Sequence, residues 1–396
     1  MVGKLRVKAR PNILWIVTTQ WRAQACGYAG DANACTPAID GLALQAVNFA
    51  QAVTPHPFGP FARAAMLTGV PSPANGVRDY FDPLPPGART IAHDLRARGY
   101  TTAWFGKWHL WKRDPSAPLV GDAHARVVVP PEARGGFGHW EGFESGFLLN
   151  DPWLHGTALP EPVRFRGYQS DILSDCVSAW LRGAGDSASW FAVVSFESPH
   201  PPYDAPAAGM LARAPADVVL NDNVPRGGWL EARARVELAG YYAHIAATDR
   251  AVGRLLESVP GGTIIVFTSV HGDMHGAHGL FRKGWPLEES VRVPFLVRSR
   301  HHAPGTQSGE PVSVLDLPEM TRAWADGREW HCAKAHAEIS MPGVVALPEQ
   351  CDRAWQGTRS PKWKRIFNPD GSPWLEFDLE RDPLELENLV QGGAQL

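Results

Sequence analysis

Paired cysteines, long apolar runs and an excess of charge of either sign are all missing from this 396-residue chain. Each absence closes a class of function. The five cysteines, Cys26, Cys35, Cys176, Cys332 and Cys351, are odd in number and show no Cys-x-x-Cys spacing, which excludes a disulfide framework and a structural zinc site. A reducing compartment, the cytoplasm, is the expectation. No apolar stretch approaches the roughly 20 residues of a membrane helix, so no membrane partner is expected. Lys and Arg number 38 against 41 Asp and Glu, without a run of one sign, which argues against nucleic acid or an anionic surface as partner. Met1 to Arg10 is basic, but the apolar run from Ile13 to Val17 is too short for a leader's core and lacks a small-residue cleavage site. It reads as a first strand. Internal repeats and low-complexity tracts are also absent.

What is present is an alternation of short β-branched runs with longer helical patterns, the signature of a mostly parallel sheet covered by helices, an α/β fold. Asn12–Val17, Thr101–Phe105, Phe191–Ser195 and Thr263–Thr268 read as buried strands. Thr36–Val47, Ala62–Leu67, Thr90–Arg98 and the long Glu231–Leu256 read as helices, the last with Tyr241, Ile245, Val252, Leu255 and Leu256 on one face. Pro83–Gly87, Ser116–Gly138 and Pro199–Pro206 read as loops, the middle one long enough for a lid. Beyond about Ser308 the pattern shortens, and two strands, Lys362–Phe367 and Trp374–Leu379, meet across Asn368-Pro-Asp-Gly. The expected division is a large α/β domain over residues 1–310 and a small antiparallel subdomain over 311–396. Each of the four buried strands runs into a polar cluster, and ligands of open α/β sheets bind outside the carboxyl ends of strands. The four clusters should therefore share one crevice. Sixteen tryptophans, several beside those clusters (Trp21, Trp104, Trp108, Trp111, Trp285), suit either core packing or an aromatic-walled pocket.

In order along the chain, Pro11-Asn-Ile-Leu-Trp-Ile-Val-Thr-Thr-Gln-Trp-Arg, Cys35-Thr-Pro-Ala-Ile-Asp, Arg63-Ala-Ala-Met-Leu-Thr-Gly, Phe105-Gly-Lys-Trp-His-Leu, Pro199-His-Pro-Pro, Phe267-Thr-Ser-Val-His-Gly-Asp-Met and Phe377-Asp-Leu-Glu-Arg-Asp-Pro resemble the type I sulfatases of the alkaline-phosphatase superfamily. The resemblance spans nearly the whole chain. It implies a sandwich with a large, mostly parallel sheet and a small C-terminal antiparallel subdomain. It also implies a divalent cation, usually calcium, held by a carboxylate after the first strand and by a later Asp-His-Gly, with a Cys or Ser of a Cys/Ser-x-Pro-x-Arg motif converted to a formylglycine nucleophile. A hard cation needs charged oxygen ligands, and it both orients the nucleophile and neutralises the ester oxygens.

Against that pattern, Thr19 and Val270 stand at the two Asp positions, and counting back from Arg63 puts Gly59 at the nucleophile. Gln20 and His271 are what remains of the cage, and two neutral ligands do not hold calcium or magnesium against water. By the same resemblance, Arg63, Lys107, His109, His200, His271 and Lys283 match positions that surround the sulfate or phosphate group. The expectation is an anion receptor without cofactor or metal. Arg63, Lys107, Lys283, Gln20 and Thr19 would bind substrate, and His200, His109 or His271 would act as acid or base. Purely structural roles are open to each: a helix cap for Arg63, a backbone-bonded ring for His200, a solvated charge for Lys283. Asp273, His275 and His278 could instead form a relocated zinc site, and Thr19 or Thr54 could serve as a substitute nucleophile. Three functions compete. The first is a metal-independent enzyme acting on a small anionic organic substrate by elimination, cyclisation or transfer. The second is a noncatalytic binder or partner subunit, and the third an ester hydrolase with a relocated metal. A homodimer is the default assembly.

Overall fold

In a computed structural model of the chain, residues 10–184, 188–210 and 212–390 are described. The basic N-terminal segment lies, apart from Arg10, outside them. Strands β1 (Ile13–Thr18), β2 (Val47–Phe49), β3 (Thr101–Lys107), β4 (His139–Phe143), β5 (Trp153–Gly156), β6 (Val163–Arg164), β7 (Trp190–Ser195), β8 (Ile264–Ser269), β9 (Phe295–Arg298) and β10 (Thr306–Ser308) form one sheet. Its order is β10-β2-β9-β8-β1-β7-β3-β4-β5-β6. The centre, β8-β1-β7-β3-β4, is parallel throughout, and antiparallel pairs appear only toward the edges. The central strands are apolar on both faces because both faces are covered.

Alternate residues sort the two faces. Ile13, Trp15, Val17, Phe191, Val193, Ile264 and Val266 pack with helices α2 (Gly59–Thr68), α3 (Ile91–Ala97) and α8 (Leu317–Ala325). Leu14, Ile16, Ala192, Val194, Ile265 and Phe267 pack with α1 (Pro37–Ala43), α5 (Gln169–Ala184) and α6 (Gly228–Ser258). Two single-turn helices, α4 (Asp122–Ala125) and α7 (Glu288–Val291), sit in connections. The long α6 buries Tyr241, Ile245, Val252 and Leu255 as its periodicity predicts, while Leu256 is only half-buried. Among the described residues no helix is long and apolar enough to cross a membrane.

Two boundaries differ from the sequence reading. The helix expected over Thr36–Val47 ends at Ala43, and Val47–Phe49 becomes β2 with Val47 and Phe49 buried, so a β-branched and aromatic pair wins the end of the helical pattern. The helix expected from Ala62 starts at Gly59, with Pro60 in its first turn where its missing N–H is harmless. Arg63 therefore sits within the helix rather than at its start.

A second sheet follows, antiparallel in the order β11 (Ala337–Met341), β12 (Trp355–Arg359), β13 (Trp363–Phe367), β14 (Pro373–Asp378). The β13–β14 hairpin is the one legible in the sequence. Ile339, Met341, Trp355 and Phe377 of this sheet join the α2 side of the core, and the connection between β11 and β12 thereby reaches the carboxyl ends of the central strands.

Candidate active site

Because β8, β1, β7 and β3 are consecutive neighbours, the segments leaving them are consecutive too. They converge with the first turn of α2 on a cavity of about 370 Å³. Thr19, Lys107, His109, His200, His271 and Lys283 line it, which brings six of the eight residues singled out from the sequence together. Arg63 and Gln20 stand behind its wall, both fully buried.

Gly106 fixes the exit of β3. Its φ of +94° and the 2.3 Å between an added Cβ and the Ser195 carbonyl oxygen admit only glycine there. Lys107 then points into the cavity, its ammonium 2.7 Å from Glu197 Oε1, with both side chains buried. The ammonium also lies 4.5 Å from the centre of the Phe147 ring, and His200 stacks on that ring at 4.3 Å. Burial lowers the Lys107 pKa to about 8 despite the opposing pull of Glu197. Lys283 donates to Gln20 Oε1 at 3.1 Å and lies 3.5 Å from His200 Nε2. Burial lowers its pKa to about 7, with Asp273 opposing.

Arg63 holds the floor. Its Nη1 donates to the Lys107 carbonyl oxygen at 3.0 Å and to Ser195 Oγ at 2.7 Å, and its Nη2 donates to Thr19 Oγ1 at 2.9 Å. Thr19 in turn donates to the Phe196 carbonyl oxygen at 3.0 Å. Its hydroxyl is thus committed as donor to a backbone carbonyl and as acceptor from a guanidinium, with no general base hydrogen-bonded to it among the described residues. Thr54 donates to the His56 carbonyl oxygen at 2.9 Å and does not line the cavity. Neither threonine is arranged as a nucleophile.

The three candidate histidines are neutral for one shared reason: burial, reinforced by neighbouring cations, pushes each well below the ordinary imidazole pKa. His200 is fixed through Nδ1 on the Pro201 carbonyl oxygen at 2.9 Å, and His271 through Nδ1 on that of Gly272 at 2.8 Å, leaving Nε2 of His271 without a partner. His109 has no partner on either ring nitrogen. Gln20 and His109, the second residue beyond the ends of β1 and β3, both have positive φ, 67° and 62°. Non-glycine residues seldom hold that conformation, and it concentrates at functional sites.

A divalent cation has a poor donor set here. Val270 offers no ligand atom, Thr19 is committed to Arg63, and the Gln20 amide bridges Lys283 and Asp273. An ammonium already occupies the Gln20 oxygen. Asp273, His275 and His278 do not converge either. His275 Nδ1 is 4.0 Å from Asp273 and 3.9 Å from Glu237, whereas His278 turns to Asn223. Among the described residues no group of three His, Cys, Asp or Glu side chains is placed to hold a metal ion.

The walls are apolar, but not through tryptophan. Phe58, Tyr80 and Phe147 supply the aromatic surface, with Leu119 and Val120 of the long loop opposite Leu347 and Pro348. Trp21, Trp104 and Trp108 are wholly buried in the core, and Trp111 and Trp285 pack against it. Sequence reasoning also missed Glu197, although it lies one turn before His200, and it missed the buried Arg113 and Glu144 pair, 3.5 Å apart, behind His109. Burial lifts the Glu144 carboxyl to about 7.

A family model described as Sulfatase matches residues 11–327. The chain is 39% identical over 328 residues to an ulvan-active sulfatase of Formosa agariphila, covering 78% of this chain and 60% of that protein's length. An arylsulfatase of Clostridium perfringens is 26% identical, over 96% of this chain and 90% of its own. Among solved structures, the yidJ protein of Bacteroides fragilis superposes with a TM-score of 0.84 at 22% identity, covering 99% of this chain and 94% of that one.

Proposed function

The chain belongs to the sulfatase family, and on that premise we propose that it is a metal-independent enzyme acting on a small organic molecule that bears a sulfate, phosphate or carboxylate. The observation carrying this reading is the pairing of Lys107 and Lys283 at the base of an apolar-walled cavity where residue 59, a glycine, has no side chain to attack with. The anion sits between the two ammonium groups, sharing that of Lys107 with Glu197, and stacks its organic portion against Phe58, Tyr80 and Phe147. Arg63 acts from behind, holding the Lys107 carbonyl and Thr19 in place.

Elimination, intramolecular displacement and group transfer all suit such a site, because each needs the anionic group held and protons moved. Neutral His200 and His271 accept protons. Lys283, with a pKa of about 7, is matched to donate one at neutral pH. The donor set around Gln20 supports a reaction without a divalent cation, and a hydrolase with a relocated metal at Asp273, His275 and His278 has no convergent ligands to rest on. The five cysteines are unpaired, which suits the cytoplasmic location this reading includes.

The committed hydroxyl of Thr19 favours a second reading, a noncatalytic receptor for the same anion. Calorimetry with inorganic sulfate, phosphate and 4-nitrophenyl sulfate, followed by mass spectrometry of the recovered ligand, separates the two. Binding that is weakened in Lys283→Ala supports the shared anion site. Altered ligand identifies an enzyme, and no binding of any of the three ends both readings.

A further inference from the structure

Resting on that anion-binding reading, we infer that His109 is the nucleophile of a group-transfer reaction, accepting a phosphoryl or sulfuryl group on a ring nitrogen in the space that a side chain at position 59 would fill. Three independent features meet at this ring. A Cβ on Gly59 would stand 2.9 Å from His109 Nδ1 and 3.2 Å from its Cε1, so the glycine is what lets the imidazole lie there. Neither ring nitrogen has a hydrogen-bond partner although the residue is only 4% exposed and faces the cavity. Buried polar groups are nearly always satisfied, and two ring nitrogens that are closed to solvent yet have no partner mark a place where an entering ligand would supply one. Finally, the ring lies against the first turn of α2, a ten-residue helix, whose N-terminal N–H groups favour an anion.

The ring is also held in place. The backbone N–H of His109 donates to the Glu144 carbonyl oxygen at 2.9 Å, and Tyr80 packs edge-on against the ring at 5.4 Å with Arg113 over the Tyr80 face at 4.4 Å. Burial, reinforced by the surrounding cations, keeps the imidazole unprotonated, which is the form that attacks. His271 also carries a free Nε2, but it is anchored through Nδ1 on the Gly272 carbonyl oxygen, and it is not among the atoms that a Cβ on Gly59 would meet.

In the first step the lone pair of the unprotonated ring nitrogen forms a bond to phosphorus or sulfur. The ester P–O or S–O bond breaks with its electron pair on the leaving oxygen, which takes a proton from the Lys283 ammonium. The ring becomes an N-phospho- or N-sulfo-imidazolium. In the second step a hydroxyl of water or of an acceptor forms the new bond to the transferred group, its proton returns to Lys283, and the pair of the breaking N–P or N–S bond returns to the ring.

Potassium phosphoramidate, a small anionic donor that phosphorylates histidine, tests this without the natural substrate. Wild-type protein, His109→Asn and His109→Gln are treated with it, with and without excess inorganic phosphate, and the site of labelling is mapped by mass spectrometry at neutral pH. Phosphate binding to each protein is measured by calorimetry. The expected result is label on His109 that phosphate suppresses at least tenfold and that both variants lose while still binding phosphate. Label on His271 or His200 instead, or none on His109 in protein that binds phosphate, overturns the inference and leaves the anion site standing. Absence of both phosphate binding and protected label overturns the anion reading itself.

Discussion

The imidazole of His109 and the missing side chain of Gly59 are two halves of one packing arrangement: a methyl group on residue 59 would approach the ring to 2.9 Å. Because the ring is wedged by Tyr80 and its backbone is pinned to Glu144, it has little room to retreat.

Gly59→Ala should therefore destabilise the protein by about 1–3 kcal/mol, the usual cost of overpacking. In a His109→Ala background the same substitution should be close to neutral. Denaturant unfolding of the two single variants and the double variant measures the coupling. An equal cost in both backgrounds would show that the ring and the glycine do not share the space. Introducing a cysteine at position 59 alone should be destabilising for the same steric reason.

Lys107 and Glu197 form a buried pair whose removal has a built-in ceiling. Breaking such a pair ordinarily costs about 3–5 kcal/mol, because one charge is left bare. Here the ammonium can escape by losing its proton, since its pKa already stands at about 8. In Glu197→Gln the lysine pKa falls further, and at pH 7 the additional penalty is limited to roughly one pKa unit, about 1.4 kcal/mol, plus a hydrogen bond of about 1 kcal/mol. The expected loss is near 2 kcal/mol. Glu197 stabilises only the charged lysine, so the difference grows by up to about 1.4 kcal/mol for each unit that pH falls below 8, until the variant's lysine is charged as well, and above pH 8 it fades to the hydrogen-bond contribution. Unfolding free energies of both proteins at pH 6, 7, 8 and 9 trace the change, and a difference that grows with pH would contradict the assignment.

Much of this was legible in the sequence because strand-end clusters and sheet order are coupled: a residue two positions past a buried parallel strand must lie at the sheet's carboxyl edge, whichever strand it is. Lys107, His109, His200 and His271 stood in such clusters, their part in binding an anion was what the resemblance to the type I sulfatases implied, and the fold class followed from the alternation itself. Glu197 escaped because its partner Lys107 is 90 residues away, and nothing in the sequence marks a lone carboxylate after a strand as half of a buried pair. The Phe147 wall and Leu347–Gln350 escaped for a different reason. They come from a loop and from the second sheet, and chain separation carries no trace of the tertiary closure that sets them over Lys107 and Lys283. Tryptophan misled: its size sends Trp104 and Trp108 to the core, while smaller aromatics at element ends line the cavity.

Calcium should not stabilise the protein. A ligand at one hundred times its Kd raises unfolding free energy by about 2.7 kcal/mol, a readily measured shift in Tm. With Lys283 on the Gln20 oxygen and Thr19 bound to Arg63, millimolar calcium, magnesium or EDTA should each leave Tm unchanged within error. A rise with calcium that EDTA reverses would require these two contacts to rearrange, and the metal-independent reading would be abandoned.

Anion affinity should fall as pH rises through the range of the two lysines. Lys283 and Lys107 have pKa values of about 7 and about 8, lowered first by burial. A bound anion favours the ammonium form of each, so it raises both pKa values and binding takes up protons wherever the free lysines are partly neutral. Below pH 6 both are charged already, and for inorganic sulfate, which does not itself titrate here, affinity is flat. Between pH 7 and 9 affinity should drop by up to about tenfold per pH unit for each lysine being charged on binding, and so by up to about a hundredfold per unit once both are, since each unit of pH then costs about 1.4 kcal/mol per proton taken up. The histidines contribute nothing to this slope, because burial keeps all three neutral across the range. Calorimetry of sulfate binding in buffers of different ionisation enthalpy reads the proton uptake directly. Lys283→Met should remove the component centred near pH 7 and leave the one near pH 8. Proton release, or an affinity that climbs with pH, would mean that the cavity holds its ligand through something other than these two ammonium groups.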